Sequence, residues 1–195
     1  MKLLYSKRSP YARKAHIMAL EKNIALELVE VDLTNKSADL IKANPLGKIP
    51  VLILDNGESL CDSPVICEYL DALKPPPMIP QDKKKRLRTL HLCAIADGLM
   101  DAAVAGYMEK VRHPEYFNAD FIAAQEKTIS QGLKFFEDHL EEIADFNLAA
   151  IAVICAIGYI NFRLPHAGPS GKFPKLAKWY DEFSQRPSME ATKPG

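Results

Sequence analysis

Three short segments of this 195-residue chain set hydroxyl, amide and carboxylate groups where they could grip a small charged ligand. The first is Tyr5-Ser6-Lys7-Arg8-Ser9-Pro10-Tyr11. A serine directly before a proline and a helically spaced run is an N-cap signal, with the proline at the first helical position. Such an end gathers a hydroxyl and free N–H groups at one point, and that point attracts an anion. The second segment, Asn44-Pro45-Leu46-Gly47-Lys48-Ile49-Pro50-Val51, opens a strand on a proline. By itself that reads as a trans proline beginning an edge strand, because few X–Pro bonds are cis. The third is Glu58-Ser59-Leu60-Cys61-Asp62-Ser63-Pro64. Its Ser63 hydroxyl and backbone N–H could take a carboxylate, while Asp62 could hold an ammonium close by. Taken singly, helix capping accounts for Ser9 and for Ser63 without any ligand.

The elements that must position these residues alternate in type. Leu3-Leu4-Tyr5 is a short apolar run, Pro10 to Glu21 has helical spacing, and Leu26 to Asp32 has the partial alternation of a half-buried strand. Strand, helix and strand in that order make a βαβ unit. A short helical stretch, Ser37 to Ala43, precedes Pro50 to Leu54, and Asn56-Gly57 between that run and Glu58 to Cys61 is a hairpin signal. A helix with Ser63 as N-cap and Pro64 at its first position buries Val65, Ile66, Tyr69, Leu70 and Leu73. The expected order is βαβ-α-ββα. Lys74-Pro75-Pro76-Pro77 cannot continue a helix, so an extended polyproline join is expected there, with a boundary near residue 80. Beyond it, helical spacing covers Lys83 to Val111, Ala119 to Ile143, Leu148 to Phe162 and Phe173 to Ser184, a helical bundle over 81–195.

Composition narrows the function classes. Hydrophobic residues make up 48% and charged ones 26%, which is ordinary globular usage. Lys plus Arg number 25 and Asp plus Glu number 25, so no global field gathers nucleic acid or a membrane surface. No nucleic-acid or membrane partner is expected, and the start of the chain does not read as a secretory signal. Cys61, Cys67, Cys93 and Cys155 include no C-x-x-C pair, which suits reduced thiols in a cytoplasm. Five isolated histidines give no ligand spacing, and no metal is expected.

Together the three segments resemble the glutathione-binding domain of the cytosolic glutathione transferases, a thioredoxin-like fold. The likeness rests on Ser9-Pro10-Tyr11, on Asn44-Pro45-Leu46-Gly47-Lys48-Ile49-Pro50-Val51-Leu52, and on Asp62-Ser63-Pro64-Val65-Ile66 through Tyr69-Leu70. It is nearest to the small bacterial branch with a serine at the active turn, and it extends over the helical second half. The resemblance implies an α/β domain over 1–80 followed by an all-α domain over 81–195, in a cytoplasmic homodimer. It implies glutathione as co-substrate, with Ser9 donating to its sulfur and the Ile49 backbone, before a cis Pro50, pairing with its cysteinyl part. Asp62 and Ser63 would hold the γ-glutamyl amine and carboxylate, and Lys36 is a weaker candidate for the glycyl carboxylate. In relatives a polar residue near Asp97 reaches the γ-glutamyl amine of the partner subunit, so Asp97, which shares a helix face with Asp101, is a candidate.

The implied activity is conjugation of the glutathione thiolate to small apolar electrophiles, with Val104, Tyr107 and Met108 able to line the second pocket. A protein-binding module on the same fold, or a glutathione-dependent isomerase or dehalogenase, is the alternative. Tyr5 is a rival to Ser9, although a strand residue four places before the turn is better suited to packing. Arg13 and Lys14 are expected to face water. Ala12 stands at the second redox position of the turn, which disfavours disulfide chemistry, and Ala150 replaces the acid that relatives often carry after a cap such as Asn147.

Overall fold

The computed structural model describes residues 1–195. Its first part is built on β1 (Lys2–Tyr5), α1 (Pro10–Glu21), β2 (Glu27–Glu30), α2 (Ala38–Ala43), β3 (Val51–Ile53), β4 (Ser59–Leu60) and α3 (Ser63–Leu73). The strands form one mixed sheet in the order β2-β1-β3-β4. β1 runs parallel to β2, with Leu4 opposite Val29, and antiparallel to β3, with Leu4 opposite Val51. Side chains alternate across a strand, so the adjacent apolar residues of β1 serve two faces. Leu3 enters the main core with α1 and α3, and Leu4 joins a small cluster with Leu40, Ile49 and Val51 under α2. β2 is shorter than its sequence pattern suggests and mostly exposed, as befits an edge strand with one neighbour. The β3–β4 hairpin turns through Asp55-Asn56-Gly57, where Gly57 has φ +87°.

The second part consists of α4 (Lys83–Arg112), α5 (Ala119–Asp138), α6 (Leu148–Arg163), α7 (Pro174–Ser184) and α8 (Pro187–Ala191). Every residue of α6 from Leu148 to Ile160 is buried, which makes it the axis of the bundle. Its start is capped by Asn147, whose Oδ1 accepts from Ala149 N at 2.8 Å and Ala150 N at 3.3 Å. α4 is the one helix long and apolar enough to cross a bilayer, yet it packs lengthwise against α5 and α6. The 3-10 turn Leu140–Ile143, where α5 was expected to continue, and the five-residue α8 lie below what periodicity resolves.

The proline-rich join is not an extended polyproline arm. Its Pro75–Pro76 bond is cis, and the segment is tied down by a buried ion pair. Asp71 Oδ1 accepts from Lys22 Nζ at 2.9 Å and from Met78 N at 2.7 Å, while Oδ2 accepts from Ile79 N at 2.9 Å. Lys22 also donates to Pro76 O at 2.6 Å. Prolines supply no N–H of their own, so side chains from α1 and α3 make the bonds that fix the course of the chain.

Candidate functional site

The N-termini of α1 and α3 and the segment before β3 carry the groups singled out from sequence. Ser9 caps α1: its Oγ accepts from Ala12 N at 3.2 Å, and its carbonyl accepts from Arg13 N at 3.0 Å. A capping hydroxyl uses a lone pair for that bond and keeps its proton to donate. Pro10 has no N–H and the Tyr11 N–H has no partner in the chain, so this helix end presents an O–H donor and a free amide together.

At α3 the cap differs from expectation, and Val65 and Leu73, expected to be buried, are exposed because the buried face of the helix runs through Ile66, Cys67 and Leu70. Asp62, not Ser63, is the N-cap, and its carboxylate accepts the Ser63 N–H. Aspartate caps as well as serine does, and the residue closer to the strand takes the part. The consequence is chemical, because the Ser63 hydroxyl is released from capping. It is 1% exposed and has no hydrogen-bond partner in the chain. A buried hydroxyl without a partner costs free energy that a ligand acceptor would recover.

The third segment is shaped by Gly47, whose φ of +58° disfavours a side chain. A Cβ there would lie 2.8 Å from Ile41 Cδ1 and 2.9 Å from Lys36 Cδ, so Lys36 lies along this loop. Asn44 holds the loop by donating to Lys48 O at 2.9 Å and accepting from Leu46 N at 3.1 Å. The peptide bonds Ile49–Pro50 and Cys61–Asp62 are both cis. Neither backbone polar group of Ile49 bonds within the chain, which leaves a donor and an acceptor for an extended peptide.

Tyr5 is partly buried in β1. Its ring lies edge-on to His16 with centroids 6.4 Å apart and joins the core between sheet and α1. Arg13 and Lys14 do not face water, and both are buried. Arg13 Nε donates to Thr192 Oγ1 at 3.3 Å and its other end to Met189 O, also at 3.3 Å. Lys14 Nζ bonds Asp97 Oδ1 at 2.6 Å. Helical spacing gives no signal for a charge turned inward, because its partner lies 83 residues away.

Asp97 thus pairs with α1 of its own chain and faces Asp62 and Asp101. Burial, with those two like charges, holds the Asp97 carboxyl above the usual carboxylate range despite Lys14. Tyr11, not foreseen as a site residue, donates from its hydroxyl to Asp101 Oδ1 at 2.5 Å. Burial and then that bond to Asp101 push its pKa well up, so the phenol stays neutral. On α4, Val104 packs on the core, and Tyr107 lies under the Arg163 guanidinium at 4.4 Å from its ring centre, on the side of α6. Met108 is half-buried. A hollow of about 680 Å³ lies elsewhere, on the other face of the sheet beside α2, lined by Leu4, Val29, Leu40 and Ile53.

A sheet of this order with helices on both faces, followed by a helical second part, defines a two-part protein with a thioredoxin-like first domain. Comparison with known proteins makes this specific. Residues 3–78 match the family model described as glutathione S-transferase, N-terminal domain, and residues 95–187 the model for the C-terminal domain. The Uncharacterized GST-like protein YibF of Escherichia coli (strain K12) is 36% identical, over 100% of this chain and 98% of its own. A glutathione transferase family member from Pseudomonas fluorescens Pf-5, solved with bound glutathione, superposes with a TM-score of 0.93 at 42% identity, covering 100% and 98% of the two chains. A glutathione S-transferase from Methylobacillus flagellatus KT, with glutathione bound, gives 0.94 at 42% identity, covering 100% and 99%. The chain belongs to the glutathione S-transferase family.

Proposed function

We propose that this chain binds glutathione across the three segments and transfers its thiolate to small apolar electrophiles. The observation that carries the reading is the Ser9 hydroxyl, which caps α1 with a lone pair and retains its proton beside the free Tyr11 amide. A sulfur resting there would meet an O–H donor and a helix N-terminus, both of which favour the thiolate. The tripeptide would extend along the open Ile49 backbone, with its γ-glutamyl carboxylate on the Ser63 hydroxyl and its amine between Asp62 and Asp97. Lys36, alongside Gly47, would take the glycyl carboxylate. Glutathione bound in two solved relatives at 42% identity supports the same ligand.

On this reading the reaction needs no nucleophile from the protein. Ser9 lowers the cost of the thiolate, the peptide grip orients the sulfur, and α4 shapes the space for the electrophile. The chain would divide near residue 80 and work in the cytoplasm as a homodimer, with exposed Leu46, Val65 and Leu87 offering apolar surface to a second copy. Calorimetric titration with glutathione, followed by turnover of an activated chloronitrobenzene, tests this. Saturable binding with turnover is expected. Binding without turnover on any electrophile would make the chain a binding module, and no binding would overturn the ligand itself.

A further inference from the structure

Helix α1 carries a charge into the interior directly beneath the site. Lys14, five residues past Ser9, is 1% exposed, and its ammonium reaches Asp97 Oδ1 at 2.6 Å. The other titratable groups facing it are the thiols of Cys67 on α3, Cys93 on α4 and Cys155 on α6. Burial pushes these thiols up to about 12, 12 and 11, so they stay neutral and leave Asp97 as the sole counter-charge of Lys14. Asp97 in turn faces Asp62, Asp101 and the Tyr11 phenol. Asp62 is engaged by Ser63 N and Asp101 by Tyr11, whereas Asp97 Oδ2 has no partner in the chain and the side chain is 22% exposed. On the next residue after Asp62 stands the buried, unpartnered Ser63 hydroxyl.

We propose that Lys14 is a positioning residue for the amine end of the ligand: it fixes Asp97 so that the free oxygen, together with Asp62, receives the α-ammonium of a γ-glutamyl group. This rests on the glutathione reading above. A half-buried carboxylate beside two others would otherwise take up a proton, and a neutral acid grips an ammonium far less well than a carboxylate does. Lys14 opposes that protonation without competing for the ligand. Three carboxylates stand against one lysine, so the cradle keeps room for a second cation.

The test uses S-methylglutathione, whose blocked thiol removes thiolate titration, and the same compound lacking its α-amino group. Calorimetry gives the ratio of the two affinities as a function of pH. In the unaltered protein the amine-bearing ligand is expected to bind at least about tenfold better, with little change from about pH 6 to pH 8. In Lys14→Met the ratio should fall to about threefold or less at the acid end and recover as pH rises, because Asp97 then ionises only at higher pH. Lys14→Arg should restore a flat, high ratio. Should Lys14→Met fail to fold around an unpaired buried acid, Lys14→Met/Asp97→Asn removes both charges, leaves Asp62 alone to receive the ammonium, and should show a ratio of about threefold or less that does not recover as pH rises. A purely structural lysine would change stability but not this ratio. An unchanged, pH-independent ratio in Lys14→Met, or full preference in the double variant, overturns the proposal. Failure of the unaltered protein to bind either compound overturns the glutathione reading instead.

Discussion

Replacing Ser9 by alanine separates the two devices at the start of α1. A free thiol near pKa 8.5 is only about 3% thiolate at pH 7, and bringing it to about 6.5 requires about 2.7 kcal/mol. A helix N-terminus supplies about 0.3 to 1 kcal/mol, and a hydrogen bond to a charged acceptor about 1.5 to 3. The free Tyr11 amide and the helix remain in Ser9→Ala, whereas the hydroxyl does not. Thiolate of bound glutathione, followed by its ultraviolet absorbance against pH, should therefore titrate about 1 to 2 units higher, with kcat/KM near neutral pH down about three- to twenty-five-fold as the thiolate fraction falls. The substitution also removes the acceptor for Ala12 N, which costs about 0.5 to 2 kcal/mol of stability. Denaturation of the variant measures that loss separately, and Ser9→Thr, which keeps both the hydroxyl and the cap, should titrate close to the unaltered protein. If bound thiol in Ser9→Ala ionises at the same pH as before, the hydroxyl is not the donor and the helix end alone, or Tyr11 N–H, carries the effect.

Other expectations follow from the charged and constrained positions. Asp71→Ala leaves Lys22 buried without its partner and frees two backbone N–H groups, so it should cost about 3 to 5 kcal/mol in denaturant unfolding followed by Trp179 fluorescence. Gly47→Ala meets both a φ of +58° and Ile41 Cδ1 at 2.8 Å, and should lose about 1 to 3 kcal/mol and weaken glutathione binding together. Glu21 accepts from Arg186 at 2.7 Å and from Ser188; although burial opposes it, these bonds hold its carboxyl below the usual range. A depressed folded-state pKa gives stability that is complete above the unfolded value, near 4.3, and is lost as pH falls through the folded one. Protection of the amides in residues 186–191, measured relative to their intrinsic exchange rates, should thus fall below about pH 4 in the unaltered protein, and Glu21→Gln should be less protected at neutral pH with less further change on acidification.

Local chemistry was legible in the sequence and long-range pairing was not. Ser9-Pro10, Asn56-Gly57 and Asn147 declare themselves because capping and turn preferences act within four residues, and the structure uses each as expected. The strand order β2-β1-β3-β4 was not among the expectations, because alternation alone does not determine which strands are neighbours. Capping at α3 went to Asp62 instead of Ser63 because adjacent residues both cap well, and periodicity cannot rank them. Arg13 and Lys14 were misplaced for a different reason. Their interior partners lie 179 and 83 residues away, and a charge with a distant partner looks in sequence like any solvated one.

Those two residues also explain how the helical part bears on the start of α1, where the proposed reading puts the thiolate. α1 starts from its cap Ser9, and successive residues then leave it in different directions: Arg13 to Met189 and Thr192, Lys14 to Asp97, and apolar Ile17 and Met18 to the core. An apolar face alone would let the helix slide and turn at little cost, since dispersion and burial are weakly directional. Hydrogen-bonded charges with fixed partners on α4 and α8 remove that freedom, and the helix start must point where it does. On the proposed reading, a thiolate stabilised by one hydroxyl would need its donor held to a fraction of an ångström, and the buried charges of α1 would supply that constraint from beneath. Loosening them by substitution far from the sulfur should therefore lower kcat before it unfolds the protein, whereas trimming apolar neighbours such as Met18 should lower stability first and leave the bound thiol's titration in place. The opposite order, with Met18→Ala shifting that titration and Arg13→Met leaving it unmoved, would place the constraint in packing instead of charge.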